Sequence, residues 1–119
     1  MIAHVVLFSP RPDLPDAERR ALVGALERAC ADIPQIRRAR IGRRRVLGYE
    51  YDALSPASFE FAAVLEFDSE TDLRSYLHHP AHVELGRLFR HGAQVAFAHD
   101  FDIVDGTVGG AVARLADLA

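Results

Sequence analysis

The chain has 119 residues, of which 50% are hydrophobic and 26% charged, the balance of one ordinary globular domain. Its formal net charge of −3 gives no general attraction to nucleic acid or anionic membranes. A single cysteine, Cys30, excludes an intrachain disulfide and a cysteine-based metal cluster. No apolar run approaches the ~20 residues that span a bilayer, and the first residues lack a signal-peptide pattern. These features predict a cytoplasmic protein without nucleic-acid or membrane partners.

The first 34 residues predict a strand followed by a helix. Ile2–Phe8 is a short run of β-branched and aromatic residues, with His4 as its polar member. From Asp13 to Ile33 the apolar residues recur at helical spacing, which predicts a helix. Asp13 is its expected cap, and Pro34 ends it.

An arginine-rich segment, Ile36–Leu47, comes next and predicts an exposed or edge strand. Gly42 within it is expected to mark a bulge or a close approach of another backbone. Because the chain is net acidic and the arginines have no aromatic residues between them, a charged edge strand explains the segment better than nucleic-acid binding does. Residues Gly48–Ser58 predict a polar loop.

The second half predicts a strand, a broken helix and a last strand. Phe59–Phe67 is strongly apolar, as in a strand covered on both faces. Ser69 begins a capping-box pattern that predicts a short helix, which Pro80 breaks before a further helix over Ala81–Gln94. Val95–Val104 predicts the last strand, whose expected inward residues are Phe97, Phe101 and Ile103.

The resulting order, βαββαβ, predicts an α+β domain of the ferredoxin-like type over residues 1–104. Residues 105–119 are expected to form a tail that is flexible or packs on a partner. In such a fold the helices cover one sheet face only, so the other face needs a cover. A second copy of the chain would supply it, and we therefore expect a homodimer with the form of a dimeric α+β barrel.

Three side chains are candidates for chemistry: His4, Tyr76 and His82. His82 lies beside Phe89 on the flank of the helix's apolar stripe, so its ring is expected to face inward. Partial burial favours neutral imidazole, the form that acts as a general base. The Tyr76 hydroxyl would orient a carbonyl or hold an enolate, and His4 would line the same interior.

Each of these residues also has a purely structural interpretation. His4 is then a core residue bonded to a backbone group, and Tyr76 a core aromatic. For His82 the sequence favours neither the structural nor the functional interpretation over the other. His79 is interpreted as a helix-terminus residue whose ring lies near the last carbonyls of the first short helix, and His78 as a solvated surface residue.

A metal site is the weaker interpretation of the histidines. His78 and His82 are four residues apart, but Pro80 lies between them, so they need not share a helix face. The glutamate of an HExxH motif is missing. Glu84 and Asp100 are carboxylates that a metal would recruit, yet nothing in the sequence selects them. We therefore expect neither a metal nor an organic cofactor.

Several motifs together resemble the stress-responsive A/B barrel (Dabb) family over about residues 1–104. The motifs are the opening His-Val-Val-Leu-Phe, Ile33-Pro34, Glu66-Phe67, Tyr76-x-x-His79-Pro80-Ala81-His82 and Phe101. The resemblance implies a ferredoxin-like subunit that pairs into a dimeric barrel. It also implies a relation to polyketide cyclases of the olivetolic acid cyclase type, which close a linear chain by aldol condensation without a cofactor.

The resemblance carries the general base of those cyclases onto His82, the partner tyrosine onto Tyr76 and a pocket histidine onto His4. Two pocket positions differ, since a second histidine is replaced by Phe61 and a tyrosine by Leu26. The implied pocket is thus more apolar, and its expected ligand-binding residues are Phe61, Leu26 and Phe89.

The function that follows is a homodimer that binds a small apolar or aromatic, polyketide-like molecule. It would act as a cofactor-independent cyclase, aldolase or isomerase. One alternative is a non-catalytic stress-responsive or scaffold protein, in which the same histidines are packing contacts. A further alternative is a cofactor-free monooxygenase, which the same architecture permits.

Overall fold

The computed structural model describes residues 1–104, Gly110 and Arg114. The predicted tail, residues 105–119, therefore lies outside the described residues except for Gly110 and Arg114, and the boundary at residue 104 stays a prediction. The elements of the described region are β1 (Ile2–Pro10), α1 (Asp16–Asp32), β2 (Arg38–Arg43), α2 (Glu50–Leu54), β3 (Phe61–Phe67), α3 (Glu70–His78), α4 (Pro80–Gly92) and β4 (Ala93–Asp102).

The strands form one sheet in the order β2-β3-β1-β4, and every neighbouring pair is antiparallel. This arrangement confirms the predicted ferredoxin-like α+β fold. The predicted edge strand is also confirmed, since β2 lies at the border of the sheet and all of its residues are exposed. No helix in the described part of the chain is long and apolar enough to cross a membrane.

The core lies between the helices and one face of the sheet. Because β1 and β3 pair His4 with Leu65 and Ile2 with Phe67, these four side chains point to the same face. Phe67 is fully buried there and Leu65 is 2% exposed. The core residues from the helices are Leu22, Ala25 and Ala29 of α1, Leu73 and Tyr76 of α3, and Leu85 of α4.

Within residues 1–104, α1, α3 and α4 contribute to this core, and we call the opposite face of the sheet the open face. Its apolar residues, by strand register, are Ala3, Val5, Leu7, Ala62, Val64, Val95, Phe97 and Phe101. Phe97 and Phe101 were expected inside, yet each is about half exposed, at 50% and 52%. The expectation is wrong for a single chain because both aromatic side chains point away from the helices. For the same reason β3 is not covered on both faces: its residues alternate between buried and half-buried.

The start of α1 differs from the sequence prediction. The helix begins at Asp16, preceded by Pro15 in an extended conformation, and no side chain caps it. Asp13 is therefore not the cap. The reason is steric, because the residue before a proline is pushed away from helical angles and Leu14 precedes Pro15. Leu14 instead turns inward and is 4% exposed.

Two predictions around β2 are also wrong. Gly42 pairs with Ala62 in regular register, and a Cβ built on it would meet nothing within 4 Å, so it marks neither a bulge nor a close approach. The loop expected over residues 48–58 contains the short helix α2. Asp52 of that helix accepts a hydrogen bond from the backbone N–H of Gly48 at 2.9 Å. Gly48 has φ +82°, a conformation that favours glycine.

A sharp corner separates α3 from α4 at His79 and Pro80. The Nδ1 atom of His79 accepts a hydrogen bond from the backbone N–H of Ala81 at 3.1 Å, which caps α4. Pro80 occupies the first helical position, where a missing N–H group has no cost. His79 is therefore a helix-terminus residue, as expected, but its ring accepts a donor at the start of α4 rather than lying near the last carbonyls of α3. His78 is exposed, also as expected.

Replacing His79 by alanine removes this cap. We expect His79→Ala to lower the free energy of unfolding by about 1 kcal/mol, the usual effect of losing a capping side chain. Chemical denaturation at neutral pH measures it. The matched control is His78→Ala, which removes an exposed imidazole one residue earlier and should change stability less. Equal losses in the two variants would contradict the capping role.

Candidate functional site

The three predicted site residues meet on the helix face of the sheet. The ring of Tyr76, from the last turn of α3, lies 4.5 Å from the ring of His82, measured between centroids. On its other side it meets His4 of β1 edge-on at 5.8 Å. Phe67 of β3 packs against the same tyrosine ring at 5.1 Å. The structure thus brings all three predicted residues into one cluster of ring contacts.

His82 is held in a defined tautomer. Its Nδ1 atom lies 3.0 Å from the carbonyl oxygen of Leu77. A carbonyl can only accept a hydrogen bond, so Nδ1 carries the proton and the neutral ring presents the Nε2 lone pair. Burial lowers the pKa of His82, the hydrogen bond to the Leu77 carbonyl opposes this, and the proximity of His4 and Arg90 lowers the pKa further. Neutral His82, with Nε2 as a base, is therefore favoured near pH 7.

His4 is fixed in the same way by a carboxylate. Its Nδ1 atom lies 2.6 Å from an Oδ1 oxygen of Asp100, the residue directly opposite it in β4. The carboxylate accepts, so Nδ1 of His4 is the donor. The His4 side chain is 9% exposed, and that of Asp100 is 47% exposed. The pair therefore links the buried cluster to the protein surface.

Tyr76 is the most enclosed member of the cluster, with 2% of its surface exposed. Burial raises the pKa of the Tyr76 hydroxyl well above its ordinary value, and the nearby Cys30 thiol of α1 contributes in the same direction. The hydroxyl therefore stays protonated at any physiological pH. It can donate a hydrogen bond but cannot serve as a base.

Two of the predicted ligand-binding residues, Phe61 and Phe89, belong to a separate aromatic group. Phe61 and Phe89 both contact Phe8, with ring centroids 5.4 and 4.8 Å apart, respectively. Leu26 is half-buried and packs against the core. Phe8 is four residues from His4 along β1, about 13 Å at the rise of a strand. The aromatic side chains thus pack on one another at a distance from the histidines.

The cavities on the surface of the described region include the following two. One, of about 290 Å³, is lined by Ile2, Glu70, Leu73, Arg74, Leu77, Asp100, Phe101 and Asp102. The other, of about 270 Å³, is lined by Pro34, Gln35, Ile36, Arg37, Asp68 and Asp72. Neither has His4, Tyr76 or His82 in its wall. The first touches the cluster indirectly, through Asp100.

Two residues of the site were not found from sequence. Asp100 was considered only as a carboxylate that a metal would recruit, because its place opposite His4 depends on the register of β1 and β4. Arg90 was not considered, and only its spacing of eight residues from His82 would have pointed to it. Among the described residues, no group of three or more histidines, cysteines, aspartates or glutamates is arranged to hold a metal ion.

Comparison with known proteins identifies the family of this chain. The family model of the stress-responsive A/B barrel domain, Dabb, matches residues 2–103. The chain belongs to the Dabb family. The resemblance inferred from the motifs is therefore confirmed over nearly the whole range expected. None of the curated proteins compared with this Dabb chain matches it.

Solved structures with the same fold include two bacterial dimers. A dimeric ferredoxin-like protein of unknown function from Bacteroides fragilis is 25% identical, with a TM-score of 0.61, over 86% of this chain and 95% of the other. A similar dimeric protein from Thermobifida fusca is 24% identical, with a TM-score of 0.66, over 86% and 90% of the two chains.

A plant enzyme shares the fold at lower sequence identity. The hydroxynitrile lyase of Passiflora edulis is 14% identical, with a TM-score of 0.73, and the match covers 88% of this chain and 94% of the lyase. At this identity the likeness concerns the fold alone. Proteins that share this fold therefore include dimers and a hydroxynitrile lyase.

The lowered pKa of His82 predicts a pH dependence of stability. From its ordinary value of 6.5 the pKa falls on folding, so the unfolded chain binds this proton more readily. The stability that neutral His82 contributes is complete above pH 6.5 and is lost as the pH falls through the lower, folded pKa. We expect His82→Gln to lose less stability than the wild type between about pH 7.5 and pH 5. Denaturation at each pH measures it, and parallel losses would contradict the burial of neutral His82.

Proposed function

We propose that this Dabb protein is a cofactor-independent enzyme that removes a proton from a small apolar or aromatic carbonyl compound. His82 is the general base. The observation that carries the proposal is the hydrogen bond from Nδ1 of His82 to the Leu77 carbonyl, which leaves Nε2 free to accept a proton. A base needs the correct tautomer, the neutral form and a nearby acid, and the surroundings of His82 favour each of these.

The acid in this proposal is Tyr76. The Tyr76 ring contacts His82, and its hydroxyl remains protonated. The hydroxyl can therefore donate a hydrogen bond to the carbonyl oxygen of the substrate as an enolate forms. His4 contacts the other side of the tyrosine ring and is itself oriented by Asp100. Enolate formation is the step shared by aldol condensation, cyclisation and isomerisation. The proposal therefore covers that group of reactions.

One observation favours a second candidate, a non-catalytic scaffold or stress-responsive protein. Phe8, Phe61 and Phe89 fill the helix face with one another's rings, and Tyr76 is almost wholly enclosed. In this candidate function His4 and His82 are core packing residues whose Nδ1 atoms are already hydrogen-bonded. The two candidates differ in whether His82 performs chemistry.

We also propose that the protein is a homodimer joined through the open face. Apolar residues from β1, β3 and β4 share this face, and its aromatic members Phe97 and Phe101 are half exposed in one chain. The molecule is only 19 Å thick along its shortest axis, which fits one sheet and one layer of helices. A second copy would add the missing layer. The dimeric state of the bacterial relatives supports this.

Proton abstraction can be tested without knowing the natural substrate. The wild type should accelerate the exchange of the benzylic protons of phenylacetone for deuterium in D₂O, followed by proton NMR. His82→Gln should slow the enzymatic exchange by roughly 100-fold or more, the usual contribution of a general base. His78→Gln is the control, since it removes an exposed histidine from the end of α3. Exchange at the wild-type rate in His82→Gln would favour the scaffold.

The dimer is tested by placing a charge on the open face. Phe101→Glu should shift the protein from dimer to monomer, because a carboxylate would be buried between two apolar sheets. Light scattering after size-exclusion chromatography gives the mass of each variant. The control is Val83→Glu, an equally exposed apolar residue of α4 away from that face. A dimer that survives Phe101→Glu, or one that is lost in Val83→Glu, would contradict the proposed interface.

A further inference from the structure

One flank of α4 carries an arginine folded back toward the proposed base. His82, Gly86 and Arg90 follow one another every fourth residue, so they lie in a row along the helix. A Cβ built on Gly86 would lie 3.3 Å from Nη1 of Arg90. The guanidinium group therefore rests over the glycine, one turn back along the helix, rather than extending away from α4. The missing side chain of Gly86 makes the space for it.

The charge of Arg90 is available to a ligand. Within residues 1–104 the other two arginines of α3 and α4 pair with carboxylates, Arg87 with Glu84 at 2.7 Å and Arg74 with Glu70 at 3.3 Å. Arg90 forms no such pair with a described residue. Its charge does reach His82, since it is one of the causes that lower the pKa of that ring. An uncompensated cation thus lies on the same helix flank as the proposed base.

We propose that Arg90 binds the carboxylate of the substrate, so that the ligand of this site is a small aromatic or apolar carboxylic acid. The inference rests on the proposed function, because it names the substrate class of the His82 site. A guanidinium group binds a carboxylate through two parallel hydrogen bonds, which fixes orientation as well as affinity. The apolar body of the acid would then lie toward Tyr76 and His82, with the carboxylate toward solvent.

This arrangement also suits the chemistry. A cation beside a general base keeps the base neutral and favours the anion that forms when the base takes a proton. Arg90 would therefore orient the acid through its carboxylate, while the Tyr76 hydroxyl donates to the developing enolate. A lysine at position 90 would keep the charge but not the fork of donors, so Arg90→Lys should restore only part of the effect.

The test compares two probes of similar shape and different charge. Benzoate and benzyl alcohol are titrated into isotope-labelled protein, and the imidazole signals of His82 are followed by NMR. We expect Arg90→Gln to weaken benzoate binding at least tenfold and to leave benzyl alcohol binding unchanged. The matched control is Arg87→Gln, which removes an arginine already paired with Glu84, and it should bind both probes as the wild type does.

The outcomes separate this inference from the proposed function. If benzoate perturbs the His82 signals equally in the wild type and in Arg90→Gln, Arg90 does not bind the carboxylate. The proposed site at His82 is still supported by that result, because the ligand reaches it. If neither probe perturbs His82 in any variant, both the inference and the proposed site fail. A loss of benzoate binding in Arg87→Gln equal to that in Arg90→Gln would also overturn the inference, since it would indicate general surface charge.

Discussion

The site depends on the corner between α3 and α4. Had the chain continued as one helix, Tyr76 and His82 would be six residues apart on it and would point about 120° away from each other. Pro80 prevents that continuation, and the imidazole of His79 caps the new helix by accepting the N–H group of Ala81. The change of direction brings the tyrosine and histidine rings to a centroid distance of 4.5 Å. Two further contacts hold these rings in place. The Leu77 carbonyl accepts a hydrogen bond from His82, and Phe67 packs against Tyr76.

Electrostatic control of the cluster comes from burial more than from ion pairs. Enclosure disfavours charge on every group, so it keeps His82 neutral and the Tyr76 hydroxyl protonated. Both effects favour the same pair of forms, a base without its proton and an acid with one. Asp100 is the exception, because as a half-exposed carboxylate it orients His4 from the edge of the sheet. Surface ion pairs such as Arg74 with Glu70 contribute little to this state.

Most of the fold was readable from sequence, because its signals are local. Period changes located the strands and helices, and Pro80 located the corner. What failed was non-local or depended on neighbours. The contact of His4 with Asp100 joins residues 96 apart, and only the pairing of β1 with β4 creates it. Asp13 looked like a cap, but Pro15 delays the helix. Gly42 looked like a bulge, yet the exposed edge strand accepts a glycine in regular register.

The two faces of the sheet separate the two proposed roles of this Dabb chain. Successive residues of one strand point in opposite directions, so Asp100 reaches the His4 cluster while Phe101 belongs to the open face. The proposed chemistry thus uses side chains of one sheet face in a single subunit, and the proposed dimer contact uses side chains of the opposite face. A subunit paired with a related but non-identical chain should keep its own reactivity. Because the two proposed roles use opposite faces, a substitution on one face is expected to leave the role of the other face intact.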